Sequence, residues 1–319
     1  YPVFSVPLHN LTSGIPFSLG ELLIALFIVF VLVWLIVFLV GIIKKPHRIA
    51  RLITFAINMI CIASVVLFFY VFLFGINYHR NSFAVNEKIA VDSYSSEQLT
   101  EACRYFAGEL TEAASNGHDF EKFTFDDMCK EASEAYRLLS EKYSTLSGKY
   151  IKGKQIFSSE LMSYGNITGV FYPFTMEANI NKNVPDYTIP FTLCHEMAHL
   201  QGYMRENEAN FIAFLACKES KNPELNYSGW FNAYIYLSNQ LVKEDPEAWK
   251  DIRASLPESV INDLNTLSDY WDRYEGAVAD ISDSVNDAYL KFNGQESGTK
   301  SYDEVTTLLL AYYFSDIKS

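Results

Sequence analysis

Residues 22–43 hold 22 consecutive side chains without a formal charge, and residues 52–76 hold 25 with a single amide, Asn58. No other feature narrows the fold so far. At ~1.5 Å rise per residue the first run makes a helix about 33 Å long, enough to cross a bilayer. Runs this long and this apolar are rare in soluble cores, so both read as transmembrane helices. The connection between them carries Lys44, Lys45, Arg48 and Arg51 and no acid. Basic loops stay cytoplasmic. Both helices are therefore expected to end outside, with the chain beyond Asn77 extracytoplasmic and only Arg80 as a basic residue close to that side. This divides the chain into a membrane region, residues 1–80, and an extracytoplasmic domain, residues 81–319. Residues 1–20, with Pro2, Pro7 and Pro16, are too polar and broken for a signal peptide. The start at Tyr1 leads us to expect upstream sequence, with room for a further membrane helix.

Charge separates the two parts. The chain as a whole is at −13, but residues 1–80 hold five Lys/Arg and one acid, Glu21. The remainder thus carries 20 basic and 37 acidic side chains, a balance of −17. That argues against nucleic acid as a partner and against a surface lying on anionic lipid. No Cys-x-x-Cys occurs among the five cysteines, so a thiolate zinc site is not expected. Cys103 and Cys129 fall on successive helices, where an outside location permits a disulfide. Free buried thiols are the plainer reading.

The chemistry lies in His195-Glu196-Met197-Ala198-His199. Residues four apart share a helix face, so His195 and His199 can offer two imidazole nitrogens to one metal ion. Glu196 projects beside them, where it can take a proton from an attacking water. The flanks agree. Pro190 suits the first helical turn, and Phe191, Leu193, Cys194, Met197, Ala198 and Leu200 make the helix apolar nearly all round. A buried helix with two His and one Glu needs a reason for them. Gly202 lets the chain reverse into a second helix that opens Arg205-Glu206-Asn207-Glu208-Ala209-Asn210.

A catalytic zinc site commonly has three protein ligands and an open position. Two carboxylates compete for the third place. Glu206 shares a face with Asn210, four residues on, and Glu208 points about 200° away around the helix from that face's first residue. If Glu206 is the ligand, Asn210 is placed to hydrogen-bond a ligating side chain. Glu206 is preferred, and Glu208 is the alternative. Arg205 stands where a metzincin would have its third histidine, which excludes that arrangement. His9, His47, His79 and His118 read as exposed loop histidines.

Elsewhere the domain is expected to be mainly helical with a small sheet. Residues 95–116 and 124–146 show helical spacing of apolar side chains, and Thr124 with Asp127 resembles a capping pair. Residues 168–180 favour strand, with Pro173 inside the run, which suits a sheet edge or a bulge. Such an edge beside the His-Glu-x-x-His helix can receive an extended substrate as an added strand. Glu177, in this stretch, is a candidate to contact substrate or hold Arg205; a solvated strand charge is the alternative. From Ser228 the pattern is helical, broken near Pro246 and Pro257.

The chain resembles an uncharacterised family of bacterial membrane proteins, a domain-of-unknown-function class with an extracytoplasmic His-Glu-x-x-His domain. The likeness rests on Pro16-Phe17-Ser18-Leu19-Gly20-Glu21 and on Pro173-Phe174-Thr175-Met176-Glu177-Ala178-Asn179. It continues through residues 190–217, Asn286-Asp287-Ala288-Tyr289-Leu290-Lys291 and Ser301-Tyr302. It implies a zincin-like fold, a zinc ion and a membrane helix before Tyr1, and it supplies no substrate. Leu200 stands where glutamine is usual and Asp303 where glycine is usual; neither is a presumed ligand.

The sequence is thus read as membrane-anchored and α+β, with a gluzincin-type zinc metallopeptidase domain after two transmembrane helices. His195, His199 and Glu206 are the expected zinc ligands and Glu196 the general base and acid. Tyr289, Tyr302 and Arg205 are unranked candidates for stabilising the oxyanion. The partners expected are the bilayer and a peptide or protein substrate near its surface. The rival reading is a catalytically silent, membrane-tethered binding or scaffold module that keeps a zinc site.

Overall fold

The computed structural model describes residues 2–44, 46–91, 93–146, 152–295 and 304–318. Its first three helices are α1 (Pro2–Ser13), α2 (Leu19–Lys44) and α3 (Arg48–Leu73). α2 and α3 are long and apolar enough to cross a membrane, and the apolar stretch of each is unburied by the rest of the chain. That sets them apart from buried core helices of similar composition and is consistent with membrane anchoring. They pack on each other through Trp34, Phe38 and Phe55, with Phe38 and Phe55 stacked at 3.9 Å. α3 stops at Leu73, three residues short of the expected end, and a tight 3₁₀ turn (Gly75–His79) leads into the domain.

Residues 2–13 form a helix despite Pro7, and that helix is docked. The His9 ring nitrogen Nδ1 lies 2.9 Å from the Met176 carbonyl, and the Thr12 hydroxyl donates to the Thr175 carbonyl at 2.9 Å. His9 is therefore buried, not exposed as the sequence suggested, because a hairpin more than 160 residues away covers it. The division at residue 80 accordingly cuts through a packed contact.

The body is mainly helical: α4 (Phe83–Asn86), α5 (Ser96–Ser115), α6 (Phe125–Lys142), α7 (Ser159–Tyr164), α8 (Ile189–Leu200), α9 (Glu206–Glu219), α10 (Pro223–Glu244), α11 (Pro246–Ala254), α12 (Glu258–Asp272), α13 (Ala277–Phe292) and α14 (Val305–Tyr312). Local signals set several of these ends. Ser95 and Gln98 form a reciprocal capping box on α5, and Thr124 accepts from Asp127 N at the start of α6. Prolines open α10 and α11 in their first turns. α8 and α9 form a hairpin at the centre, flanked by α6 and α10, and α5 covers α10. Phe106, Phe214 and Trp230 meet there with ring centroids 5.1 to 5.5 Å apart. Cys103 and Cys129 are both buried and free.

A three-stranded mixed sheet completes the domain: β1 (Lys154–Gln155), β2 (Gly169–Tyr172) and β3 (Glu177–Ile180), in the order β1-β3-β2. The run over residues 168–180, expected as one strand, is a hairpin. Gly169 pairs with Ile180 and Tyr172 with Glu177. Pro173 sits in the reversal, outside both strands, where its missing N–H breaks no ladder. Met176 takes a positive φ of 51° to close the turn. β2 is the outer strand on one side, and α8 lies against it.

Candidate metal centre

Pro190 lies in the first turn of α8, and Gly202, at φ 92°, reverses the chain after Gln201. That left-handed position is one a side chain with a Cβ rarely adopts. The reversal brings α9 back against α8 and sets Glu206, its first residue, against the two histidines. His195 and His199 stand one turn apart with ring centroids 4.6 Å apart and planes perpendicular. Glu206 Oε2 lies 3.2 Å from His195 Nε2, and Oε1 lies 3.7 Å from His199 Nε2. One donor atom from each of the three side chains falls within 4.8 Å of the other two.

The far side of each ring is also held. His195 Nδ1 is 2.7 Å from Asn210 Oδ1, and His199 Nδ1 is 2.7 Å from the Tyr203 carbonyl. Both partners accept, so each Nδ1 carries a proton, and each Nε2 faces the Glu206 carboxylate, where a metal ion would take the place of any Nε2 proton. Two such nitrogens and one carboxylate are a donor set that suits zinc. Burial pushes the His195 pKa down, but the neighbouring Glu206 carboxylate, with Glu196 and Asn210, outweighs this and lifts it to about 8. At His199 burial prevails and the pKa falls to about 4.

Glu196 is buried, and its Oε2 has no hydrogen-bond partner among the described residues. Burial raises its carboxyl to about 8; the His195 side chain and the Phe171 backbone N–H act the other way. A buried carboxyl oxygen without a partner is costly in a purely structural setting. Gly169 of β2 makes room for it. A Cβ on Gly169 would stand 2.6 Å from Glu196 Oε1 and 2.8 Å from Thr192 Cγ2.

The other proposed site residues separate clearly. Glu208 faces away from the histidines: its Oε1 accepts from Phe83 N at 2.9 Å and from Arg205 Nη1 at 3.3 Å. Arg205 does not point into the site either. Its Nη2 donates to the carbonyls of Tyr78 and Arg80, at 3.0 and 3.1 Å, fixing the segment that follows α3. Glu177 neither meets substrate space nor holds Arg205, and it is not solvated. It is buried, paired with Lys154, and accepts from Leu19 N and Gly20 N at the start of α2. An anion there offsets the exposed N–H groups and the dipole of the helix. Tyr289 borders the site, its hydroxyl in reach of Tyr70 and Tyr78, and burial holds its phenol well above the usual range. Tyr302 lies outside the described residues.

A cavity of about 510 Å³ opens over the three converging side chains and Glu196. Besides the residues foreseen, it is lined by Gly169, Thr192, Asn232, Tyr236 and Trp271, and by Phe74 from the end of α3. Of these only Gly169 carries a sequence signal, since a glycine within a strand often marks a close approach. No curated protein and no solved structure matches the chain. A model for a family described as a protein of unknown function, DUF3810, matches residues 1–310. With that match over nearly its whole length, the chain belongs to the DUF3810 family.

Proposed function

We propose that this chain is a membrane-anchored, zinc-dependent metallopeptidase with a zincin-like catalytic domain outside the cytoplasm. One observation carries the reading: the Nε2 atoms of His195 and His199 and the Glu206 carboxylate converge beside a buried carboxyl, Glu196, that has an unpaired oxygen. His195, His199 and Glu206 would hold zinc. A bound zinc ion supplies Lewis acidity, polarising a scissile carbonyl and making a water acidic near neutral pH.

The chain's own groups do the rest. Glu196 takes the proton of the attacking water and returns it to the leaving amine, the work for which a carboxyl raised toward neutral pH is suited. Asn210 and the Tyr203 carbonyl hold the two imidazoles in one tautomer and orientation. Tyr289, which borders the cavity and is kept protonated by burial, is our remaining described candidate to donate to a developing oxyanion, since Arg205 is committed elsewhere. β2 presents an outer strand beside α8, along which an extended peptide can lie. The basic connection between α2 and α3 supports an outside location for the domain.

The test is metal analysis of the purified full chain, then incubation of wild type and Glu196→Gln with a peptide library. We expect about one zinc per chain in both proteins, and cleavage reduced by ~10²-fold or more in the variant, the scale of general acid–base catalysis. Equal metal with no cleavage in either protein would favour the silent scaffold that keeps its zinc site.

A further inference from the structure

Helix α13 carries Val278, Ile281, Val285 and Phe292 three, four and seven residues apart, so they form one stripe. The stripe faces outward: Ile281 is 64 % exposed and Phe292 75 %. A second exposed apolar group lies at α7, with Phe157 at 80 % and Leu161 at 72 %. Large apolar side chains grouped this way on a surface commonly mark a contact site.

Two contacts fix the height of this face. Glu21, in the first turn of α2, accepts from the backbone N–H groups of Phe157 and Ser158, at 2.9 and 2.7 Å. That places Phe157 level with the point where α2 becomes wholly apolar. At the other end, Tyr70 in the last turn of α3 donates to Asn293 Oδ1 at 2.9 Å, beside Phe292. The middle of α13 is tied down as well. Ser282 donates to the Gly165 carbonyl at 2.7 Å, and Gly165 directly follows α7. α7 has six residues. Its length is thus about 9 Å at ~1.5 Å per residue, and α13 cannot rise far above the level of Ser158.

We propose that the exposed faces of α7 and α13 rest in the headgroup layer of the same bilayer that α2 and α3 cross. The mouth of the cavity, which Val285 and Tyr289 help to line, then opens at that layer. The contact is apolar, not electrostatic: the domain's acidic balance gives anionic lipid no advantage, and buried hydrocarbon supplies the attraction. This rests on the membrane-spanning part of the reading above and not on peptidase activity.

The experiment uses the full chain in phosphatidylcholine nanodiscs with single nitroxide labels. Cys61, the one exposed thiol among the free cysteines, is first replaced by serine. Labels then go in through Phe157→Cys, Leu161→Cys, Ile281→Cys and Phe292→Cys. Asp280→Cys and Ser284→Cys, on the polar side of α13, are the aqueous references, and Ile36→Cys in α2 is the lipid reference. Spin relaxation by oxygen is compared with relaxation by a water-soluble nickel chelate. At the four apolar positions oxygen should dominate, as at Ile36, while nickel dominates at Asp280 and Ser284. The proposal is overturned if the four positions behave like Asp280, with Ile36 still in lipid. It is also overturned if they are shielded from both reagents, which would mean a protein partner or second copy covers them. Nickel access at Ile36 would instead overturn the spanning reading itself.

Discussion

Asn210 Oδ1 lies 2.7 Å from the Nδ1 of His195, one helical turn beyond Glu206 on α9. The amide and the carboxylate thus approach the same imidazole from its two sides. Removing such an outer partner commonly weakens metal binding by ~10- to 100-fold. Asn210→Ala should lower zinc affinity by that amount, measured by competition with a chelator, and Asn210→Asp should restore most of it. Unchanged affinity in Asn210→Ala would mean that the amide does not orient the ligand.

The two helix-start carboxylates give a sharper contrast. Glu206 faces both histidines, and Glu208 faces Phe83 N and Arg205. Glu206→Gln should lose stoichiometric zinc while the fold persists. Glu208→Gln should keep zinc but lower the melting temperature, since Glu208 is buried among charged and backbone donors. Metal analysis and thermal unfolding of both variants decide it; the reverse pattern would exchange their roles.

Gly169 offers a test of the base that leaves the ligands untouched. The added methyl of Gly169→Ala would meet Glu196 Oε1 and Thr192 Cγ2 well inside contact distance. Glu196 must then rotate, while His195, His199 and Glu206 keep their positions. Peptide hydrolysis should fall by about tenfold or more, a part of the ~10²-fold or greater loss expected without the base, with zinc retained. Retained activity would show that the strand yields and the carboxyl does not.

These residues also show what a sequence can and cannot disclose here. The histidine pair, Glu206 and Asn210 obey helical spacing, and Gly202 marks the reversal between their helices, so their meeting was legible from local periodicity. Glu177 was not. Its partners are Lys154 on another strand and the N–H groups of Leu19 and Gly20, 158 and 157 residues distant, and no local pattern encodes them. Its neighbourhood also misled. The turn between β2 and β3 is closed by Met176 at positive φ, where glycine or asparagine would have announced it, so one strand was expected where there are two. His9 is buried by that same turn. Arg205 failed as a site residue for a similar reason: its acceptors, the carbonyls of Tyr78 and Arg80, belong to a segment placed by the end of α3.

The Lys154–Glu177 pair, 3 % and 1 % exposed, joins the sheet to the start of α2. Lys154 also donates to the Thr12 carbonyl at 2.9 Å. Breaking a buried pair from one side strands the other charge and costs about 3–5 kcal/mol. Glu177→Gln and Lys154→Met should each destabilise the full chain in detergent by that order. The double variant should recover part of the loss, because no unpaired charge remains. Losses that simply add would show that the pair is not coupled.

The last prediction concerns orientation. Lys44, Lys45, Arg48 and Arg51 are the only charged residues between the two apolar runs, and the bias they impose acts on short loops of this kind. They should hold the connection in the cytoplasm and send both the α2 start and the α3 end outside. The Glu177 contact to Leu19 and Gly20 and the Tyr70 contact to Asn293 require those two ends on the same side as the domain that carries the candidate metal centre, so the topology is a single choice for all three. Protease added to intact cells or right-side-out vesicles should digest the domain, while a cysteine placed in the connection reacts with an impermeant maleimide only after lysis. Replacing all four basic residues by glutamine should produce a mixed population with part of the domain protected. Complete protection of the wild-type domain in intact cells, with lysed controls digested, would invert the orientation and put the proposed active site in the cytoplasm.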